Sequence, residues 1–185
     1  MKSFLIGLLI IISQIIYASE QYPDLIIYNG NGYEFYSYPM ETYFEIYPNR
    51  RPSRRNINSA LLRGYRATYE IINNELILIN IETMKFNGNW IQINNRHFRN
   101  NIKINTFSGK IHLCNGESTG IYIGFTPIFE NYIVLSIIDG TVVDFFEINC
   151  IEYLESLIQL SSEDSYSYWY YTRILNSLNE LKGMN

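Results

Sequence analysis

The arginine residues of this sequence are concentrated in one short stretch. Six of the nine arginines lie between positions 50 and 66. Guanidinium groups bind carboxylates and phosphates through paired hydrogen bonds, so an arginine cluster on a loop suits an anionic ligand or an acidic partner surface. The stretch from 48 to 58 is polar and non-periodic, which predicts such a loop. The candidate binding residues in it are Arg50, Arg51, Arg54 and Arg55.

The alternative for this arginine cluster is a solvated loop whose charges pair within the chain. Glu41, Glu45 and Glu70 are the acidic residues available for such pairs. Surface ion pairs of this kind stabilise a fold by only about 0–1 kcal/mol each. In that case the cluster holds no ligand, and the sequence leaves both interpretations open.

Aromatic residues form a second concentration, in the segment from Tyr166 to Tyr171. Five of these six residues are aromatic, and five aromatic side chains so close together on a helix cannot all face one core. We therefore expect some of them to be exposed or to contact a second protein, because Tyr and Trp are enriched at protein interfaces. The alternative is ordinary core packing in a chain rich in Ile, Asn and Tyr. The candidate contact residues are Tyr168, Trp169 and Tyr171.

Metal and nucleophile chemistry has little support in the residue spacing. His112 and Cys114 share one face of a predicted strand at i, i+2, which would supply half of a metal site. Completing that site would need His97 or carboxylates from elsewhere, and neither HExxH nor CxxC spacing is present. Walker A, Rossmann and GxSxG motifs are also absent from the sequence. We therefore predict no metal and no cofactor, and we assign no catalytic residue.

The amino-terminal residues have the pattern of a secretory signal peptide. Lys2 precedes an apolar run from Phe4 to Ile12, and Ala18 ends the segment before the polar Ser19. This pattern predicts a signal peptide at 1–18 with cleavage after Ala18, and thus a secreted or periplasmic protein. The alternative is an uncleaved N-terminal membrane anchor, although the run is shorter than the about 20 apolar residues that a span needs. After cleavage, no stable membrane span is expected.

Cys114 and Cys150 are the two cysteines of the sequence. Outside the cytosol they can form a disulfide, which would stabilise the fold by about 3.5–4 kcal/mol in the chain-entropy model. The alternative is two buried free thiols, which pack as small apolar side chains. Each cysteine lies near an end of a predicted strand, so the spacing does not decide between the two.

Alternation of apolar and polar residues between turn signals predicts a run of short strands. Asn29-Gly30-Asn31-Gly32, Asn73-Asn74 and Asp139-Gly140 are such signals; Tyr65–Ile72 and Glu75–Glu82, for example, are expected to pair across the second of them. The count is about eight or nine strands. This pattern predicts a mainly β (α+β) fold built on an antiparallel sheet, sandwich or barrel.

Helical patterns interrupt this run of strands once and also follow it. Pro39 is expected to open a short helix at Met40–Ile46. Asn149 is expected to cap a helix from Cys150 to Leu160, and Ser161 or Ser162 a second helix that ends near Gly183. The predicted organisation is a single β-rich domain at 19–185 with one or two C-terminal helices at about 150–183.

The composition limits the class of protein. The 185 residues suffice for one domain, and a hydrophobic content of 47% can fill a core. The formal net charge of -4 excludes a generally basic nucleic-acid binder. We therefore expect no nucleic-acid partner.

Several stretches of the sequence carry a family resemblance. They are Tyr43–Pro52, Ala60–Ile71, Phe107–Gly109, Pro127–Tyr132 and Ile138–Gly140. These stretches resemble a family of uncharacterised bacterial proteins, from about position 43 to about position 152. The resemblance implies a bacterial source, and it carries no assigned activity and no catalytic residues. The Tyr-rich segment from 161 onward lies outside it.

The sequence leaves two functions open. The first is a secreted or periplasmic, non-enzymatic binding module that meets a protein partner or an anionic ligand through the arginine loop or the Tyr-rich helix. The second is a small extracellular hydrolase or ligand-binding enzyme whose site has no recognisable motif. Because no nucleophile–base or metal motif is concentrated anywhere in the sequence, we favour the binding module.

Overall fold

The computed structural model describes residues 20–52, 59–94, 96–98, 101–163 and 165–183. The predicted signal peptide at 1–18 lies outside these described residues, as do two of the four candidate arginines, Arg54 and Arg55. Within the described residues, no helix combines the length and the apolar character that crossing a membrane requires.

Strands dominate the described part of the chain. The strands are β1 (Asp24–Tyr28), β2 (Asn31–Phe35), β3 (Arg66–Ile72), β4 (Glu75–Met84), β5 (Trp90–Gln92), β6 (Ile102–Lys103), β7 (Gly109–Ile123), β8 (Thr126–Ile138) and β9 (Thr141–Asn149). The α-helices are α1 (Pro39–Ile46), α2 (Cys150–Gln159) and α3 (Tyr166–Gly183), and two short 3-10 helices lie at Pro48–Arg50 and Arg96–Phe98.

The strands form one curled sheet. Its hydrogen-bonded order is β2-β1-β3-β4-β9-β8-β7, and β5 and β6 also pair with β4. Among the described strands only β1 and β3 pair in parallel, because the chain crosses over through β2 and α1 before it returns beside β1. The terminal strands β2 and β7 contact each other, and Ser37 Oγ donates to the Lys110 carbonyl at 3.3 Å. The predicted mainly β fold with C-terminal helices is confirmed, as a single open sheet.

Three hairpins turn at predicted signals, although the first turn uses only the first two of its four predicted residues, since Asn31 and Gly32 already belong to β2. Asn29-Gly30, Asn73-Asn74 and Asp139-Gly140 each join two antiparallel strands directly. Both residues of every pair have positive φ, between 48° and 78°. Such turns match the right-handed twist of the flanking strands, and Gly, Asn and Asp adopt this backbone conformation most readily.

The largest difference from the predicted strands is the length of β7. It runs unbroken where the sequence predicted separate strands at Lys110–Cys114 and Ile121–Phe125. Gly116 and Gly120 have φ of 87° and 75°, and the register with β8 shifts around both. These irregularities are bulges, which bend the strand without ending it.

The ends of the helices follow local signals. The Asn149 side chain accepts the N–H groups of Ile151 and Glu152, and the Glu152 carboxylate accepts the Asn149 N–H. This reciprocal capping box begins α2 at the predicted position. Helix α1 also begins at Pro39, whereas α3 begins at Tyr166, later than the predicted start at 161 or 162.

Two apolar clusters stabilise the described chain. The larger lies inside the curled sheet and is closed at one end by Met40 and Phe44 of α1. The smaller lies beneath the two C-terminal helices, where Leu154 of α2 packs with Ile174 and Leu178 of α3 and with Ile128 of β8. The C-terminal helices therefore pack on the same sheet as the rest of the chain.

Candidate functional site

The two described candidate arginines of the loop contact side chains of this chain. Arg50 Nη1 donates to the Tyr43 hydroxyl at 2.5 Å, and the guanidinium lies 4.2 Å from the centroid of the Tyr47 ring. Arg51 Nη2 lies 2.8 Å from each carboxylate oxygen of Glu41. The pairing of Arg51 with Glu41 is one that the ligand-free interpretation of the cluster predicted.

The remaining two described arginines of the cluster also form ion pairs within the chain. Arg66 pairs with Glu82 across the β3–β4 hairpin, and its guanidinium lies 3.9 Å from the centroid of the Trp90 ring. Arg63 pairs with Asp24 at the start of β1. The four described arginines of the cluster thus contact neighbouring side chains through charge-assisted hydrogen bonds and cation–π contacts.

Among the residues that the structure describes, the most deeply buried ion pair is that of Asp24 with Arg63. Asp24 is fully buried, and its Oδ1 accepts hydrogen bonds from Arg63 Nη1 and from the Ala67 N–H, each at 3.0 Å. Arg63 Nη2 donates to the Tyr22 carbonyl at 2.7 Å, and the guanidinium lies 3.5 Å from the centroid of the Tyr38 ring. Among the described residues, no group donates to the buried Oδ2 of Asp24.

Burial raises the pKa of Asp24 to about 6, against the opposing effects of the Arg63 guanidinium and the Ala67 hydrogen bond. The loss of hydration therefore outweighs the ion pair in this pocket. Sequence reasoning missed the pair, since Asp24 stands at the first position of a predicted strand and Arg63 belongs to an apparently exposed cluster. Their separation of 39 residues leaves no local signal.

The raised pKa of Asp24 makes stability depend on pH in a specific direction. Between the ordinary pKa of 3.8 and the folded value of about 6, the native state binds more protons than the unfolded chain. Stability from this group is therefore complete below pH 3.8 and is lost as the pH rises through about 6. We expect the unfolding free energy of the wild type, minus that of Asp24→Asn, to fall by about 2–3 kcal/mol from pH 3.5 to 7.

Urea unfolding of both proteins across this pH range measures that difference directly. The Asn variant is the control for all other titrating groups, because it differs from the wild type only at the carboxyl. A difference that stays constant or increases with pH would contradict the raised pKa of Asp24.

The histidine and cysteine singled out by their spacing line a small cavity of about 60 Å³, beside Tyr36, Tyr132 and Tyr153. Burial and the nearby Lys110 lower the pKa of His112 to about 4, and burial raises the pKa of the Cys114 thiol to about 12. At neutral pH the imidazole is therefore neutral and the thiol keeps its proton, which is the opposite of an activated nucleophile.

Both cysteines are free thiols; Cys150 is buried, as the second alternative expected, whereas Cys114 is half-buried. Cys114 lies on β7 and Cys150 directly follows β9, with β8 between them. Strands separated by one neighbour are about 10 Å apart, which exceeds the about 7 Å between Cα atoms that a disulfide allows. His97 lies in the second 3-10 helix, and the described residues contain no group of three side chains able to hold a metal ion.

The aromatic residues of α3 divide between an exposed and a packed side. Tyr166 is 82% exposed and Trp169 is 66% exposed, which confirms that these rings do not all enter a core. Tyr168 and Tyr171, the other two candidates, are half-buried. Tyr166 was not a candidate, although it is the most exposed aromatic residue of the helix.

Tyr170 connects this helix to the turn between β7 and β8. Its hydroxyl donates to the Tyr122 carbonyl at 3.1 Å and accepts the Gly124 N–H at 3.4 Å. The rings of Tyr166 and Tyr170 stack with centroids 5.9 Å apart. Tyr122, near the end of β7, and Phe125, in the turn, are also exposed. We call this set the aromatic surface: Tyr122, Phe125, Tyr166, Trp169 and Tyr170.

A larger groove of about 520 Å³ lies where the sheet opens between β4 and β9. One wall is formed by β9 from Val142 to Phe145, and the other by Tyr28, Ile71 and the Asn73-Asn74 turn. The Tyr28 and Phe145 rings meet edge-on across it at 6.4 Å between centroids. Sequence reasoning missed this groove, because its residues come from three separate parts of the chain.

Comparison with known proteins gives no relative for this chain. No family model matches the sequence. No curated protein and no solved structure matches it either.

Proposed function

We propose that this chain is an exported, non-enzymatic binding module that contacts a partner protein through the aromatic surface. The single observation that carries this proposal is the exposure of Trp169 and Tyr166 on a helix whose other side is anchored in the smaller apolar cluster. Trp and Tyr are the residues that contribute most often to binding energy at protein interfaces.

The aromatic surface is held in place before any partner arrives. Ile174 and Leu178 fix α3 against the sheet, and the Tyr170 hydroxyl ties the helix to the β7–β8 turn. A rigid surface loses little conformational entropy on binding, which favours affinity. Exposed rings grouped in this way are typical of protein interaction sites.

Export rests on the pattern of residues 1–18, and the family resemblance extends the proposal to a bacterial source. In a bacterium the protein would act in the periplasm or outside the cell. Intact mass of the protein from native cells tests this step, since cleavage after Ala18 leaves a chain that begins at Ser19. A mass that retains residues 1–18 would favour the N-terminal membrane anchor instead.

Replacing both Tyr166 and Trp169 by Ala is expected to weaken partner binding at least about 100-fold, because interface hot spots contribute about 2 kcal/mol or more each. The measurement is a pull-down from periplasmic and secreted fractions of the native cells, followed by titration of the captured protein. The melting temperature should change little, since both side chains are exposed.

Phe86→Ala is the matched control for this experiment. Phe86 is 95% exposed and lies in the β4–β5 turn. It removes an exposed aromatic ring without touching the aromatic surface, so the variant should bind the partner as the wild type does. Undiminished binding by the Tyr166 and Trp169 double variant would refute the proposal.

A further inference from the structure

Strand β9 has one paired and one open side. It pairs with β8 from Thr141 to Asn149, but it meets β4 on its other side only where Thr141 lies opposite Glu75. Beyond this contact, the same side of β4 pairs with β6 and then with β5. From Val143 onward, no strand among the described residues runs along the outer side of β9. We call this stretch, from 143 to 148, the open edge.

An open edge offers unpaired backbone groups as a template for a further strand. The groove of about 520 Å³ lies on this side, since β1, β3 and the Asn73-Asn74 turn face β9 across it. A strand added to an edge lies about 4.8 Å from its neighbour. One lying beside β9 would place alternate side chains against Tyr28, Ile71 and Phe145.

The open edge combines apolar and acidic side chains. Val143 is 56% exposed and Phe145 is 62% exposed. Asp144 and Glu147 are exposed on the same stretch, on opposite faces of the strand because they lie three positions apart. Asp144 Oδ1 accepts the Phe145 N–H at 2.9 Å, so a strand added here displaces this carboxylate from that N–H. Asp144 is the charged residue that lines the groove, so the site has a negative end.

We propose that the open edge of β9 is a strand-addition site for an extended segment of a partner protein in which apolar residues alternate with Lys or Arg. Opposite Phe145 the partner places an apolar side chain in the groove. Opposite Asp144, whose side chain lies on the other face of the strand, it places a basic one.

A second copy of this chain suits the edge poorly. Pairing β9 with β9 would bring two Asp144 and two Glu147 carboxylates onto one short ladder. Like charges on adjoining strands are destabilising. Charge complementarity therefore favours a basic partner segment over self-association.

The test uses a fluorescein-labelled nine-residue peptide of alternating valine and lysine, with the full-length protein and fluorescence anisotropy as the readout. We expect this peptide to bind at least 10-fold more tightly than its valine–glutamate counterpart. The same peptide with every second amide N-methylated should also bind at least 10-fold more weakly, because it cannot complete the backbone ladder.

Charge reversal at the edge is the matched protein variant. Asp144→Lys, at an exposed position on the face that meets the basic side chains, should exchange the preference so that the valine–glutamate peptide binds more tightly. The rate of backbone amide hydrogen exchange along β9 should fall in the complex with the valine–lysine peptide. It should not fall in the complex with the N-methylated peptide.

Three outcomes would overturn the strand-addition proposal: no binding of the valine–lysine peptide, equal binding of the N-methylated peptide, or a preference that the charge reversal leaves unchanged. A concentration-dependent dimer that the charge reversal strengthens would also overturn it, in favour of a second copy as occupant. The double variant at Tyr166 and Trp169 should bind the peptide normally, so this test and that of the aromatic surface fail independently.

Discussion

Replacing Arg63 by Ala is expected to lower the free energy of unfolding by about 3–5 kcal/mol at pH 7, the usual range when one partner of a buried ion pair is removed. Asp24 is fully buried and the Arg63 side chain is only 10% exposed, so water cannot replace the lost guanidinium easily. The substitution also removes the hydrogen bond to the Tyr22 carbonyl and the stacking on Tyr38. Tyr38 adopts a left-handed φ of 48°, an uncommon conformation for an aromatic residue that these neighbours must support.

Chemical denaturation at several pH values measures this loss. The Arg63 guanidinium lowers the pKa of Asp24, so its removal raises that pKa further above the unfolded value. The variant should therefore lose stability more steeply as the pH rises, and the gap to the wild type should be smaller at pH 5 than at pH 7.

The matched control is Lys103→Ala, which removes the exposed pair with Glu75. The two side chains of that pair are 36% and 43% exposed, and the expected loss is below about 1 kcal/mol. Similar losses for Arg63→Ala and Lys103→Ala would show that the Asp24 pair behaves as a surface pair and would contradict the argument.

Features encoded by neighbouring residues were predictable from the sequence. The Asn73-Asn74 turn and the Asp139-Gly140 turn need only two residues with a tolerance for positive φ. The start of α2 needs only Asn149 and Glu152, three positions apart. In each case the residues that determine the structure lie within three positions of one another, so the local sequence pattern predicts the local backbone conformation.

Features that depend on distant contacts were not predictable. The strand at β9 was expected from its alternation, but its open edge arises because β4 pairs with β5 and β6 after one contact with Thr141.

The separation of exposed from packed rings on α3 also depends on contacts between distant parts of the chain. Tyr166 lies on the same helical stripe as Tyr170 and Ile174, yet it is exposed because the first turn of the helix extends beyond the apolar cluster.

Replacing Gly140 by Ala is expected to lower the free energy of unfolding by about 2–5 kcal/mol. Gly140 has φ of 72°, where a side chain adds about 1–2 kcal/mol of backbone strain. A Cβ atom at this position would also lie 2.5 Å from the Ile104 carbonyl oxygen and 2.7 Å from its carbon. That backbone is fixed by the bond from the Ile104 N–H to the Leu76 carbonyl, so relieving the overlap adds about 1–3 kcal/mol.

Gly30→Ala separates the two contributions to this loss. Gly30 is also the second residue of a two-residue hairpin turn, with φ of 78°, but a Cβ there meets nothing within 4 Å. It should therefore lose only the strain, about 1–2 kcal/mol. Thermal or urea unfolding of the two variants gives the difference, and equal losses would show that the close approach of Gly140 to Ile104 has no energetic consequence. A larger loss at Gly140 would establish that this turn is held against the β6–β7 connection by contact as well as by its own conformation.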